Sequence, residues 1–173
     1  MKFQPLFAKF VSISKLFWKA VDQQSYCEWR LKVRKGKYHE LEMHLLPALV
    51  NPHKVALDIG ANQGSYSIKM IDLASSVIAF EPNYCLGKEI KEIIRVLCLP
   101  VEWLNIALSD DNTTVEMRVA SQAPGLGTIE QANSLQYPHE LIFDKFTVET
   151  KCLDDYNYSN IGSLTGKIGI PPG

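Results

Sequence analysis

The stretch Val55-Ala56-Leu57-Asp58-Ile59-Gly60-Ala61-Asn62-Gln63-Gly64 constrains this chain more than any other. Its apolar start has the composition of a parallel strand buried on both faces. Gly60 and Gly64 then permit a tight turn and let a ligand approach the backbone closely. Apolar residues at mixed helical spacing follow from Ser65 to Leu73. A strand, a turn and a helix are therefore expected, with backbone N–H groups of the turn aimed at whatever lies over it. A second apolar run, Val77-Ile78-Ala79-Phe80, closes in Glu81-Pro82 and predicts a neighbouring strand. Glu81 stands 23 residues after Asp58. An acid at such a strand tip can accept hydrogen bonds from both hydroxyls of a ribose.

The type of nucleotide is set by charge. A dinucleotide site has the pattern G-x-G-x-x-G, shaped for a pyrophosphate, whereas this chain reads D-x-G-x-N-x-G. A carboxylate would repel a pyrophosphate. It would attract the ammonium and sulfonium groups of S-adenosyl-L-methionine, so Asp58 favours that methyl donor over NAD and over a purely structural glycine turn. The donor-binding set expected here is Asp58, Gly60, Ala61, Asn62, Gly64, Glu81 and Pro82.

With these residues, Asp58-Ile59-Gly60-Ala61-Asn62-Gln63-Gly64 and Ala79-Phe80-Glu81-Pro82, the chain resembles the FkbM family of S-adenosylmethionine-dependent methyltransferases. The resemblance runs over roughly residues 38 to 156. It takes in Asn105-Ile106-Ala107-Leu108-Ser109-Asp110, Gly125-Leu126-Gly127-Thr128 and Val148-Glu149-Thr150-Lys151-Cys152-Leu153-Asp154-Asp155. It implies O-methylation of a sugar or another hydroxyl-bearing small molecule, with no metal demanded; a small-molecule or glycan acceptor is expected, and no nucleic acid. It also places the Gly125–Thr128 loop beside the acceptor and a helix before the first strand over the donor, within reach of Tyr38 or Glu42.

Two further units complete the α/β pattern. Ile90, Ile93, Ile94 and Leu97 predict a helix over Leu86–Leu97, and Val101 to Ile106 reads as a third strand. This alternation predicts a Rossmann-like, mostly parallel sheet with helices on both faces. In such a half-domain the end of the third strand faces the adenine, so Asn105, Ala107 and Leu108 join the expected donor site. Leu41, Leu45 and Leu49 line one face of a helix expected from Tyr38 to Val50, which Pro47 bends. Thr113–Val119 and Phe146–Leu153 alternate like half-exposed strands, while Ser121–Ser134, rich in small and polar residues, reads as a loop. No Lys-Ser/Thr follows Gly125-Leu126-Gly127-Thr128, which excludes a P-loop.

Charge divides the chain. Residues 1–37 carry nine Lys/Arg and two acids, against nine and seventeen in 38–173. The expected organisation is a basic helical extension, 1–37, before a methyltransferase domain, 38–173. Met1 to Val21 has the spacing of an amphipathic helix from Pro5 onward. Its lysines make it too short of apolar length for a span or a signal peptide. A helix packed on its own domain and a peripheral contact with an anionic bilayer both remain open for it. Cys27, Cys85, Cys98 and Cys152 are scattered without a C-x-x-C pair, which fits reduced thiols in a cytoplasmic protein. The four histidines lack metal-ligand spacing.

The carboxyl end departs from the family. Where the resemblance implies a central strand reading Lys-Ile-Asp-x-Glu-Gly, this chain has Lys167-Ile168-Gly169-Ile170-Pro171-Pro172-Gly173. A shortened domain with an incomplete second half is expected. No general base can be named; Asp154 and Asp155 are paired acids of a solvated turn. The alternative to an enzyme is a non-catalytic S-adenosylmethionine-binding or interaction remnant.

Overall fold

The computed structural model describes residues 15–37, 41–121, 123–129, 142–156 and 161–166. Residues 15–21 are helical and lead into α1, Gln23–Lys37. A 3-10 turn (Leu41–His44) and the four-residue α2 (Leu46–Leu49) precede β1 (Val55–Ile59). Then come α3 (Ser65–Met70), β2 (Ser76–Phe80), α4 (Tyr84–Val96) and β3 (Val101–Leu104). Four more strands follow: β4 (Ile106–Leu108), β5 (Thr114–Ala120), β6 (Ala123–Thr128) and β7 (Phe143–Lys151). A 3-10 turn, Leu153–Asp155, and β8 (Ile161–Gly166) complete the described chain.

The strands form two sheets of four. The first has the order β3-β2-β1-β8, and every pair in it is parallel. The second has the order β4-β7-β5-β6, with one parallel pair and two antiparallel ones. The fold is α/β and Rossmann-like in its parallel part, with β1 paired on both sides.

The described helices cover one face of the parallel sheet. Ala56 and Val77 pack there with Met43, Leu46, Val50 and Met70, and Ile68, Ile90 and Ile93 form a second group with Cys27 and Trp103. Two successive crossovers running in one direction with the same hand place their helices on the same side of the sheet. On the opposite face, among the described residues, Leu57, Ile78 and Phe80 pack against Leu108, Leu153 and Tyr156. The Phe80 and Tyr156 rings meet edge to face, centroids 5.5 Å apart.

Three sequence expectations change here. The helix expected over Tyr38–Val50 is a 3-10 turn and one α-turn, with residues 38–40 outside the described residues. Pro47, near the start of α2, cannot donate the hydrogen bond that a continuous helix needs. The buried face carries Met43, Leu46 and Val50, leaving Leu41, Leu45 and Leu49 exposed. Within Ser121–Ser134, residues Ala123–Thr128 form a strand, not a loop. Pro124 is tolerated because β6 lies at the edge of its sheet, where a missing N–H breaks no ladder.

Two glycines make room for one indole. A Cβ on Gly87 of α4 would fall 2.6 Å from Trp103 Nε1, and one on Gly64 would fall 3.2 Å from Trp103 Cζ3. Helix α4 can approach β3 only because position 87 lacks a side chain. Gly87→Ala is expected to cost about 1–3 kcal/mol through overpacking. A lowered urea midpoint with unchanged slope would show it, and an unchanged midpoint would mean the ring shifts freely.

Candidate functional site

The site lies where β1 and β2 end. Asp58 is the fourth residue of β1, and its side chain turns to the helical face, where Ser67 of α3 donates to its Oδ2 at 2.5 Å. Only 3% of Asp58 is exposed. Burial lifts its carboxyl to about 6, against the lowering effect of the Ser67 hydrogen bonds. Glu81, 5% exposed, follows the last residue of β2. Its two oxygens accept from two backbone amides: Oε2 from Asn62 N–H at 2.8 Å and Oε1 from Asn83 N–H at 2.7 Å. Burial raises Glu81 as well; those two amides oppose the rise, and the nearby Asp58 charge adds to it. The two acids therefore share one electrostatic neighbourhood.

Between them runs a turn in left-handed backbone. Gly60 has φ 71°, Asn62 φ 54° and Gly64 φ 78°, conformations that glycine adopts freely and asparagine more readily than most residues. The two glycines differ in purpose. A Cβ on Gly60 would meet nothing within 4 Å, whereas one on Gly64 would press on Ile90 and Trp103. Gly60 thus borders open space, while Gly64 packs inward and caps α3.

The expectation that this turn presents free N–H groups is corrected by the structure. Gly60 and Ala61 both donate to the Phe80 carbonyl, at 2.9 and 3.0 Å, and Gly64 donates to Ala61 at 2.7 Å. With Asn62 held by Glu81, four amides of the turn are already engaged. An anion over such a turn would find few donors. What the turn offers a ligand is carboxylate, carbonyl oxygen and close approach at Gly60.

The residues expected around the adenine are spread over two environments. Asn105 separates β3 from β4; its amide donates to the Glu81 carbonyl at 2.9 Å, and its oxygen accepts from Lys91 Nζ at 2.7 Å. Ala107 packs into the second sheet with Met117, Val119 and Val148. Leu108 packs beside Phe80. Pro82 follows Glu81, and Asn83 then caps α4 by accepting from Cys85 N–H at 3.1 Å. Among the described residues, no group of three or more His, Cys, Asp or Glu could hold a metal ion, and no helix is long and apolar enough to cross a membrane.

Two partners of the site lay outside sequence reasoning. Ser67 has a legible signal, since it stands nine residues after Asp58 at the start of the helix that the turn leads into. Arg34 has none beyond membership of a basic run. It is nonetheless buried, and donates to the Gln63 carbonyl at 2.8 Å and to Glu89 at 2.6 Å.

No protein-family model matches the chain, and no curated protein matches it. Solved structures similar to it include a rRNA methylase from Streptococcus thermophilus, 12% identical with a TM-score of 0.34 over 40% of this chain and 51% of that one. Another is the tRNA (uracil-54, C5)-methyltransferase of Pyrococcus abyssi in complex with S-adenosyl-L-homocysteine. It is 15% identical, with a TM-score of 0.30 over 40% of this chain and 20% of that one. The tRNA (m1A58) methyltransferase of Aquifex aeolicus is 12% identical, with a TM-score of 0.33 over 64% of this chain and 68% of that one. The match thus spans about half the length of the first of these proteins and a fifth of the second. One expectation is corrected by this comparison: proteins described as acting on rRNA and tRNA stand among the similar structures, so the exclusion of nucleic acid does not hold.

Proposed function

We propose that this chain binds S-adenosyl-L-methionine over the Gly60–Gly64 turn and is a methyltransferase of the FkbM type. Its acceptor is then a hydroxyl of a sugar or another small molecule. The observation that supports this reading is the pair of buried carboxylates, Asp58 and Glu81, at the ends of adjacent parallel strands beside a turn whose amides are largely engaged. Such a site suits a cation better than a pyrophosphate. The residues fit the donor: Asp58 would face the ammonium group, Glu81 the ribose hydroxyls, and Gly60 would let the ligand lie against the backbone. The region of Asn105 and Leu108 is assigned to the adenine. When bound, the donor supplies an electrophilic methyl group; the chain's own task is to hold donor and acceptor in line.

Gly60→Ala separates binding from folding. The new methyl meets open space, so the stability cost is that of left-handed backbone, about 1–2 kcal/mol. We expect the folded variant to bind S-adenosyl-L-homocysteine at least tenfold more weakly than the parent in calorimetry. A parent chain that binds NAD, or that ignores S-adenosyl-L-homocysteine, overturns the reading. Transfer of a radiolabelled methyl group, with extracted glycans and total RNA as rival acceptor pools, decides the acceptor class.

A further inference from the structure

Helix α1 is tied to the elements on either side of the glycine turn. Arg30 and Arg34 both pair with Glu89 of α4. Lys19 and Gln23 bond Glu92, at 2.6 and 3.0 Å. On the other side, Lys69 of α3 donates to the Lys35 carbonyl at 2.9 Å, and Lys35 pairs with Asp72 at 2.5 Å. One contact differs in kind from these helix-to-helix ties: Arg34 Nη1 donates to the Gln63 carbonyl, on the main chain of the turn itself.

We propose that Arg34 is a positioning residue for the donor site, fixing the Gly60–Gly64 turn through the Gln63 carbonyl. The proposal rests on the donor-site reading above. A buried guanidinium is a poor choice for stability alone, because desolvation offsets much of what its pairing contributes. Here that cost is raised further, since Arg34 Nε is buried without a hydrogen-bond partner. What the planar fork supplies is geometry. One nitrogen takes the carboxylate of Glu89 and another the carbonyl of Gln63, so the turn is held at a fixed distance from α4. Donor affinity then depends on this contact with the Gln63 carbonyl, not on the other ties that seat the amino-terminal helices.

Three variants test this: Arg34→Met, Arg34→Lys, and Lys19→Ala as the control that removes a different tie between the amino-terminal helical segment and α4. Affinity for S-adenosyl-L-homocysteine is measured by calorimetry well below each melting temperature. Amide hydrogen exchange over residues 60–64 is followed without ligand. Arg34→Met is expected to weaken binding at least tenfold and to speed exchange in the turn by a similar factor. Arg34→Lys, which can reach one acceptor but not both, should fall between; it carries the test if the Met variant fails to fold. Lys19→Ala should lower the melting temperature and leave affinity and turn exchange at parental values.

Parental affinity and exchange in a folded Arg34 variant overturn the proposal, as does a Lys19→Ala effect of equal size on the turn. If the parent binds no donor while Arg34→Met still speeds turn exchange, the donor reading falls. Arg34's hold on the turn then stands as the part supported.

Discussion

Asp58→Asn is expected to make the folded protein more stable above pH 6, by about 2 kcal/mol, while abolishing donor binding. The carboxyl titrates near 6 in the folded chain because it is buried, and near 4 in the unfolded chain. Between those values the unfolded state has released its proton and the folded state has not. Stability therefore falls as pH rises through that window, and the cost is fully present above pH 6. A shift of about two units corresponds to nearly 3 kcal/mol. Asparagine removes this cost and keeps an oxygen for the Ser67 hydroxyl, although that bond weakens without the charge. Urea titrations from pH 4.5 to 8 should show a gain that grows with pH and then levels. A variant less stable than its parent at pH 8 would refute the account. The same charge is what an ammonium group needs, so parental affinity for S-adenosyl-L-homocysteine should rise from pH 5 to 7. The asparagine variant should bind too weakly to measure.

Glu81→Ala is expected to act in the opposite direction on stability and in the same direction on binding. Both carboxylate oxygens accept from main-chain amides, those of Asn62 and Asn83. The substitution leaves two donors without acceptors, one in the glycine turn and one at the start of α4. Relief of the burial that raises Glu81 returns part of the loss. A net destabilisation of about 2–4 kcal/mol follows, from hydrogen bonds to a charged group and the orphaning of their partners. Glutamine is no conservative substitute here, because its NH2 would point at an N–H. Thermal melts and calorimetry on the two variants should separate the acids. Loss of donor binding accompanies a gain in stability at position 58 and a loss at position 81. Parental stability in Glu81→Ala would show that the clamp does not form.

The parts of the fold legible in the sequence are those where one signal dominates. Val55-Ala56-Leu57 and Val77-Ile78-Ala79-Phe80 are unbroken apolar runs because the strands that hold them are covered on both faces. The acids after such runs stand out for the same reason. Asp58 and Glu81 were thus readable as residues, but the use of their oxygens was not. Sequence shows a carboxylate, not that two backbone amides already occupy it. Leu41, Leu45 and Leu49 illustrate the converse error, a helical stripe that ends exposed because Pro47 denies the segment a continuous helix. Ala123–Thr128 hid its strand because small residues and a proline lack the β-branched signature. Arg34 was invisible for a different reason: a basic run on a helix resembles a solvated face, and only tertiary structure turns one of its members inward.

The nesting of the Trp103 ring between Gly64 and Gly87 makes that indole an optical reporter of the turn. With Trp18 and Trp29 replaced by phenylalanine, Trp103 is the sole tryptophan emitter in the chain. Any ligand or mutation that moves the backbone at Gly64 then registers as a change in fluorescence intensity or wavelength.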